Sequence, residues 1–259
     1  MKIIYLHQYF NTPEMSGGVR SFDIAKHLVD NGNIVEMITT NRESFDSNGW
    51  KISNENGINT HWFSLFYSNQ LGFFKRLKVF FLFAFHAAKK GEKLQGDVVF
   101  ATSTPLTIAI PALYISWKMS IPLVFEVRDL WPDVPIAIGV IKNPIIKYLA
   151  KLLEKYTYKK SKAIIALSDG MKSGIIKVGC EKNKVIVVPN FSNRELFNPT
   201  IIGKKFRAKR GWLKDSPLLV YTGTFGMING VGYLVDIAEQ LVLLKSDIKI
   251  LLVGDGKQY

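Results

Sequence analysis

Strand-length apolar runs, each followed by a loop bearing Gly, Pro, Ser or Asp and then by apolar residues at helical spacing, recur along this chain and admit few architectures. Lys2–Leu6 is a buried strand by this pattern, and Phe22, Ile24, Ala25, Leu28 and Val29 mark the core side of a helix. Asn31-Gly32 closes that helix and Ile34–Thr39 forms a second strand, giving a βαβ unit with a right-handed crossover and parallel strands. The class is therefore α/β. Between the first strand and its helix the chain passes through Gly17-Gly18. Paired glycines let backbone N–H groups approach an anion at a helix N-terminus; a plain strand-to-helix turn accounts for them equally well. The spacing is not that of the G-x-G-x-x-G fingerprint, which counts against a nicotinamide-dependent oxidoreductase.

Further along, Trp50–Leu65 alternates polar and apolar residues around Asn56-Gly57, as in a small hairpin or a pair of edge strands. Leu71 to Leu94 is helical, with Phe73, Phe74, Leu77, Phe80, Phe81 and Phe85 on its apolar side and Lys75, Arg76, Lys78, Lys89, Lys90 and Lys93 beside them. A basic, Phe-rich helix either packs in a core with its lysines solvated or lies in a lipid headgroup layer. Asp97–Ala101 is a strand, Thr102-Ser103-Thr104-Pro105 a capping loop, Leu106–Met119 a helix and Leu123–Val127 a strand. That strand runs into Arg128-Asp129-Leu130-Trp131-Pro132-Asp133. Charges at the carboxyl end of a parallel strand lie where open α/β sheets bind ligands, the alternative being a salt-bridged turn.

Helix Pro144–Lys160 carries Lys147, Lys151, Lys155 and Lys159 on one face, either solvated or set against an anionic surface. Strand Ala163–Leu167, an N-cap at Ser168-Asp169, a helix to Val178 and strand Lys184–Val188 complete a first domain, residues 1–188. Pro189–Pro199 lacks periodicity, so residues 189–200 form a linker. A second α/β unit occupies residues 201–259. It has strand Leu218–Thr222, the loop Gly223–Gly232, a helix Tyr233–Leu244 with Leu234, Ile237, Ala238, Leu241 and Val242 inward, and strand Ile248–Val253 ending at Gly254-Asp255-Gly256.

With 259 residues and 47% hydrophobic content, the chain suffices for one large domain, or one domain and part of another. The single Cys180 makes no internal disulfide and no signal peptide follows Met1, so cytoplasmic residence is the default expectation. Val79–Ala88 is too short to span a bilayer, and Pro105–Leu123 is interrupted by Pro111, Lys118 and Pro122. The formal charge of +13 favours polyanions: nucleic acid, anionic lipid or phosphorylated substrate. Nucleic acid is disfavoured by the lack of a reader motif, and His7, His27, His61 and His86 show no metal-ligand spacing. His7, at the end of the first strand, is placed either to touch a substrate or to make a structural hydrogen bond.

The order Tyr9-Phe10, Pro13-Glu14, Gly17-Gly18 and Arg20, then Ser103–Pro105, FEVRDLWPD (Phe125–Asp133), Val188–Asn190, YTGTFG…NG (Tyr221–Gly230) and VGDG (Val253–Gly256) resembles the GT-B glycosyltransferases of family 4. The RDLWP variant is similar to the branch that adds amino sugars such as N-acetyl-L-fucosamine in O-antigen or capsule synthesis. The resemblance implies two Rossmann-like domains facing a cleft, the first complete and the second incomplete. It also implies metal-independent, retaining transfer with no cofactor, from a nucleotide sugar, usually UDP-linked, to a polyprenyl-diphosphate-linked saccharide at the inner face of a bacterial plasma membrane. Residues 71–94 are then a membrane contact.

By the same resemblance Gly17, Gly18 and Arg20 lie against the donor diphosphate, which Gly223, Thr224, Gly226, Asn229, Gly230, Gly254 and Asp255 hold from the other side. His7 and Glu14 fall on the acceptor side. Thr224 and Asn229 stand where many relatives have Arg and Lys, so charge neutralisation passes to Arg20 or Arg128. Arg128-Asp129 replaces a His-Asp pair, and Asp129 is assigned to the acceptor hydroxyl. The family's acidic stretch beyond its GDG loop and its returning final helix have no counterpart before Tyr259, so the chain reads as truncated. The alternative is a noncatalytic domain that binds acceptor lipid or anionic membrane.

Overall fold

Both faces of the first strand are buried, which a parallel sheet with helices on each side requires. In β1 (Lys2–Leu6) Ile3 and Tyr5 point into one core and Ile4 and Leu6 into the other. The computed structural model describes residues 1–41, 49–67, 71–192, 197–198, 200, 203–226 and 229–256. The chain divides into two compact units, Met1–Phe191 and Ser192–Tyr259. Parts of the expected linker (193–196 and 199) and of the second glycine loop (227–228) lie outside the described residues.

In the first unit β1 is followed by α1 (Arg20–Asp30), β2 (Ile34–Asn41), β3 (Trp50–Glu55), β4 (Ile58–Ser64) and α2 (Phe73–Gly91). Next come β5 (Val98–Thr102), α3 (Ala109–Met119), β6 (Leu123–Val127), the short α4 (Asp133–Ala137), α5 (Pro144–Lys160), β7 (Ala163–Ala166), α6 (Asp169–Lys177) and β8 (Val185–Val187). The sheet order is β3-β4-β2-β1-β5-β6-β7-β8, parallel except for β3. The β3–β4 hairpin turns at Asn56 and Gly57, both at positive φ (53° and 93°), as a two-residue turn requires.

On one side of the sheet α1 sets Phe22 and Ala25 against Ile3, Tyr5 and Met37, and Tyr5 stacks on Phe100 at 4.4 Å between ring centroids. On the other side α2, α3, α5 and α6 cover Ile4, Leu6, Val99, Phe125 and Ile164. Asn143 caps α5, its Oδ1 accepting from the Ile145 and Ile146 amides, and Ser168 caps α6 through the Met171 amide.

Three local expectations are corrected. The stretch Thr102–Pro105 is not a side-chain cap: the helix after it opens with a 3-10 turn, Leu106–Ile108, whose N-cap is Pro105. α4 arises inside the charged loop, where no helix was expected. The largest correction concerns α2. Its buried residues are Phe83, Ala84, Ala87 and Gly91, whereas Phe74, Phe81 and Phe85 are exposed; the Phe73 side chain lies outside the described residues. Beside Phe83 this face is made of small residues because α2 packs closely on α3, where a Cβ at Gly91 would overlap Ile115 Cδ1.

The second unit contains α7 (Lys204–Ala208), β9 (Leu218–Thr222), α8 (Gly232–Leu243) and β10 (Lys249–Val253), with β9 and β10 paired in parallel. Leu213, Phe225 and Val231 are its buried apolar residues among those described. Leu234, Ile237, Ala238 and Leu241 of α8 are partly covered, but Val242, expected inward, is 75% exposed.

Phe83→Ala is expected to destabilise the chain by about 3–5 kcal/mol and Phe81→Ala by less than ~0.5 kcal/mol, read from urea denaturation. A second prediction concerns Glu154 of α5, which is buried and hydrogen-bonded to Tyr158. Burial pushes its carboxyl from the ordinary 4.5 up to about 7, and Asp133 adds to the rise. Between those pH values the folded chain holds a proton that the unfolded chain has released. The stabilisation is thus full below about pH 4.5 and lost as pH rises through about 7. Glu154→Gln should match the parent at pH 4 and exceed it at pH 8 by about 3 kcal/mol.

Candidate functional site

The chain leaves β1 for β2 on one side and returns to β5 on the other, so the strand order reverses between β1 and β5. Open α/β sheets bind ligands outside the carboxyl ends of their strands at such a point. The loops that converge here are those after β1, β5 and β6, which carry His7–Gly18, Ser103-Thr104 and Arg128-Asp129.

The structure brings Gly18 and Arg128 together: a Cβ at Gly18 would stand 3.7 Å from Arg128 Nη2. Gly17 has φ +135°, and a Cβ there would overlap Asn11 Nδ2, which itself donates to the Gly18 carbonyl at 3.4 Å. Both constraints favour glycine at position 17. The Arg128 amide donates to Ser103 Oγ at 3.1 Å, and Thr104 Oγ1 donates to Asp129 Oδ2 at 2.6 Å. Asp129 is exposed and Arg128 half-buried, so the loop after β6 carries an acidic and a basic residue in succession at the switch point. Ser103 and Thr104 were expected only to cap; they hold the acidic and basic residues instead. His7 is buried at the end of β1, whereas Glu14 is exposed in the loop before Gly17. The Gln8 side chain beside them is 1% exposed, and neither of its amide atoms has a hydrogen-bond partner among the described residues.

Arg20 is corrected from a ligand-facing group to a structural one. As the first residue of α1 it is buried, and its Nε and Nη2 each lie 3.0 Å from Glu126 Oε1. Nη1 donates to the Pro189 carbonyl at 2.7 Å and Nη2 to the Val188 carbonyl at 2.9 Å, while the Phe191 ring lies beneath the guanidinium. Glu126, fully buried on β6, also accepts from Thr102 Oγ1 at 2.9 Å, and Thr102 Oγ1 lies 3.2 Å from Tyr5 Oη. Burial, with the Glu126 carboxylate nearby, pushes the Tyr5 hydroxyl well above its ordinary value and keeps it protonated. The sequence signal missed here was Glu126 itself, a carboxylate inside an otherwise apolar strand.

In the second unit the two glycine loops lie backbone to backbone. Gly223 N donates to the Val253 carbonyl at 3.0 Å and Phe225 N to the Asp255 carbonyl at 2.9 Å. A Cβ at Gly254 would overlap the Gly223 carbonyl oxygen, and one at Gly256 the Phe225 carbonyl oxygen. Asn229 Nδ2 and Tyr221 Oη both donate to the Thr224 carbonyl, at 2.5 and 3.0 Å. Gly230 takes φ +58° and Asp255 is exposed, its Oδ1 accepting from the Gly256 amide at 2.7 Å. Among the described residues no group of three or more His, Cys, Asp or Glu is placed to hold a metal ion.

A largely parallel sheet with a glycine loop opening its first helix and charged residues at the switch point defines an open α/β protein of Rossmann-like build. The Glycosyltransferase Family 4 model matches residues 17–196, more than half of the sequence, and the chain belongs to that family. Comparison with curated proteins finds no match. Among solved structures, Anabaena HepE in complex with UDP and glucose is 19% identical with a TM-score of 0.65, over 99% of this chain and 61% of that one. Sucrose-phosphate synthase from Thermosynechococcus elongatus is 14% identical, TM-score 0.69, over 97% and 61%. The E. coli trehalose-6-phosphate protein bound with UDP-2-fluoro glucose is 10% identical, TM-score 0.71, over 100% and 65%. The likeness establishes the GT-B type of fold, and the chain spans 61 to 65% of the length of these structures.

Arg20→Met leaves Glu126 buried without its cation and is expected to destabilise the first unit by about 3–5 kcal/mol in urea denaturation. Arg20→Met with Glu126→Met should recover at least about half of that loss.

Proposed function

We propose that the chain takes part in transfer of a sugar from a UDP-linked nucleotide sugar to a polyprenyl-diphosphate-linked saccharide during assembly of a bacterial surface polysaccharide. The observation that carries the reading is the pairing of Arg128 beside Gly18 with Asp129 held by Thr104 at the switch point of a family 4 sheet. Support for the donor class comes from HepE, whose structures hold UDP and UDP-glucose. The RDLWP sequence favours an amino-sugar donor of the N-acetyl-L-fucosamine kind, in O-antigen or capsule synthesis.

In this reading Asp129 orients the acceptor hydroxyl and accepts its proton, and Thr104 fixes the carboxylate for that task. Arg128 and the Gly17-Gly18 backbone supply positive potential to a diphosphate. Within the second unit, Gly223, Thr224, Gly226, Asn229, Gly230, Gly254 and Asp255 belong to the loops assigned to a nucleotide-sugar diphosphate, and within the first Glu14 contacts the acceptor. His7, buried behind the loop, holds its position. Transfer is retaining and needs no cofactor beyond the nucleotide sugar. The protein works in the cytoplasm at the inner face of the plasma membrane, with α2 as a membrane contact. In accord with that placement, no helix among the described residues is long and apolar enough to cross a membrane.

A second reading, binding of lipid-linked saccharide or membrane without transfer, is favoured by the exposed phenylalanines of α2. The two are separated by incubating the chain with UDP-hexoses or UDP-N-acetylhexosamines and a polyprenyl-diphosphate saccharide. Transfer predicts UDP release and an extended lipid product, with Asp129→Asn lowering kcat about 100-fold or more and changing UDP-sugar affinity by less than about twofold. Saccharide-lipid binding with no UDP release from any donor sinks the transfer reading.

A further inference from the structure

Helices α2, α3 and α5 lie in that order on one side of the first unit's sheet, with α3 packed against both. Their outward residues are apolar. Phe74, Phe81, Leu82 and Phe85 project from α2, the first of them 79% exposed. On α3 Trp117 is 75% exposed beside Tyr114. On α5 Ile145, Tyr148, Leu149, Leu152 and Tyr156 follow i, i+3, i+4, i+7, i+11 spacing, each about half exposed or more. Scattered exposed apolar residues need no explanation, but stripes on three neighbouring helices do.

The charges on these helices are almost all positive, although two neighbouring carboxylates meet them: Glu92 accepts from Tyr114 Oη at 2.6 Å and Asp133 lies 3.5 Å from Lys151 Nζ. Every charged residue on the three helices except the buried Glu154 is Lys or Arg. Several amines sit over the aromatic rings: Lys89 Nζ is 4.5 Å from the Phe85 ring centroid and Lys160 Nζ 5.7 Å from that of Tyr156. Such a surface repels a second copy of itself, since lysines would meet lysines, and fits an anionic layer that also accepts apolar side chains.

We propose that α2, α3 and α5 together form the face by which the protein lies on an anionic lipid bilayer. The Phe, Leu and Ile side chains enter the headgroup–acyl boundary, Trp117 and the tyrosines sit at headgroup level, and the lysines meet lipid phosphates. The inference rests on the reading of α2 as a membrane contact and extends it to two further helices. It also orients the first unit. α2 and α5 follow β4 and β6, so both start at the carboxyl edge of the sheet, the edge that carries Gly18, Arg128 and Asp129. A lipid-anchored substrate would therefore reach that edge without leaving the membrane.

The test is cosedimentation of the full chain with vesicles, without nucleotide sugar, so that it stands or falls apart from the transfer reading. The chain is expected to bind phosphatidylglycerol–phosphatidylethanolamine vesicles and to bind phosphatidylcholine vesicles far less. Leu149→Glu with Leu152→Glu should weaken binding by about tenfold or more, as should Phe81→Glu with Phe85→Glu. Ile186→Glu, on β8 and 54% exposed, should leave it unchanged. All variants should keep the parent circular dichroism spectrum. Undiminished binding by the α5 variant overturns the three-helix face and leaves α2 alone as the contact. A dimer in analytical ultracentrifugation that the α5 variant dissolves, without vesicle binding by the parent, overturns it in favour of a second copy.

Discussion

The buried ion pair between Arg20 and Glu126 ties together parts of the first unit that are far apart in sequence. It links the start of α1 to β6, reaches β5 and β1 through Thr102 and Tyr5, and holds the chain leaving β8 by the Val188 and Pro189 carbonyls. Two charges removed from water are costly, and only a geometry that satisfies their remaining donors and acceptors offsets that cost. Here three further groups do so around a single pair of side chains, the Val188 and Pro189 carbonyls and the Thr102 hydroxyl. Gly18 stands two residues before Arg20, and Arg128 lies two residues past Glu126. The ion pair therefore sets the separation between the two halves of the candidate site. A buried ion pair thus fixes where the exposed residues of the candidate site stand.

Helix α2 illustrates a second constraint, that packing distance outranks hydrophobicity in choosing a face. Phe74, Phe81 and Phe85 carry more apolar area than Ala84, Ala87 and Gly91, yet these small residues face inward together with Phe83, since α3 approaches closely at Ile115. Bulky side chains are thereby displaced to the surface, next to lysines that have no acidic counterpart on the same helix. Docking chemistry on that side follows from how tightly the sheet is covered.

Much of the fold was legible because its signals are local. Apolar runs in the strands, Gly32 after α1, Asn56-Gly57 in the hairpin and the cap at Ser168 each act within a few residues. The boundaries of α5 match the periodicity, since Pro144 opens it and an apolar stripe runs its length. The side on which α2 is buried was not legible, because it depends on Gly91 meeting Ile115, a contact between separate helices. The role of Arg20 was hidden for the same reason: its partner is 106 residues away. At the site, Arg128-Asp129 was found from its place after a strand, and Thr104 was misjudged because a hydroxyl before a helix ordinarily caps it.

The interlocked glycines of the second unit bear on how family signatures are interpreted. Gly254 and Gly256 abut the carbonyls of Gly223 and Phe225, so side chains are excluded from both positions by the neighbouring backbone. Glycine is therefore required at both positions whether or not anything binds beside them. The VGDG signature thus marks ancestry and a way of closing a loop, and by itself it cannot tell a working enzyme from a retired one.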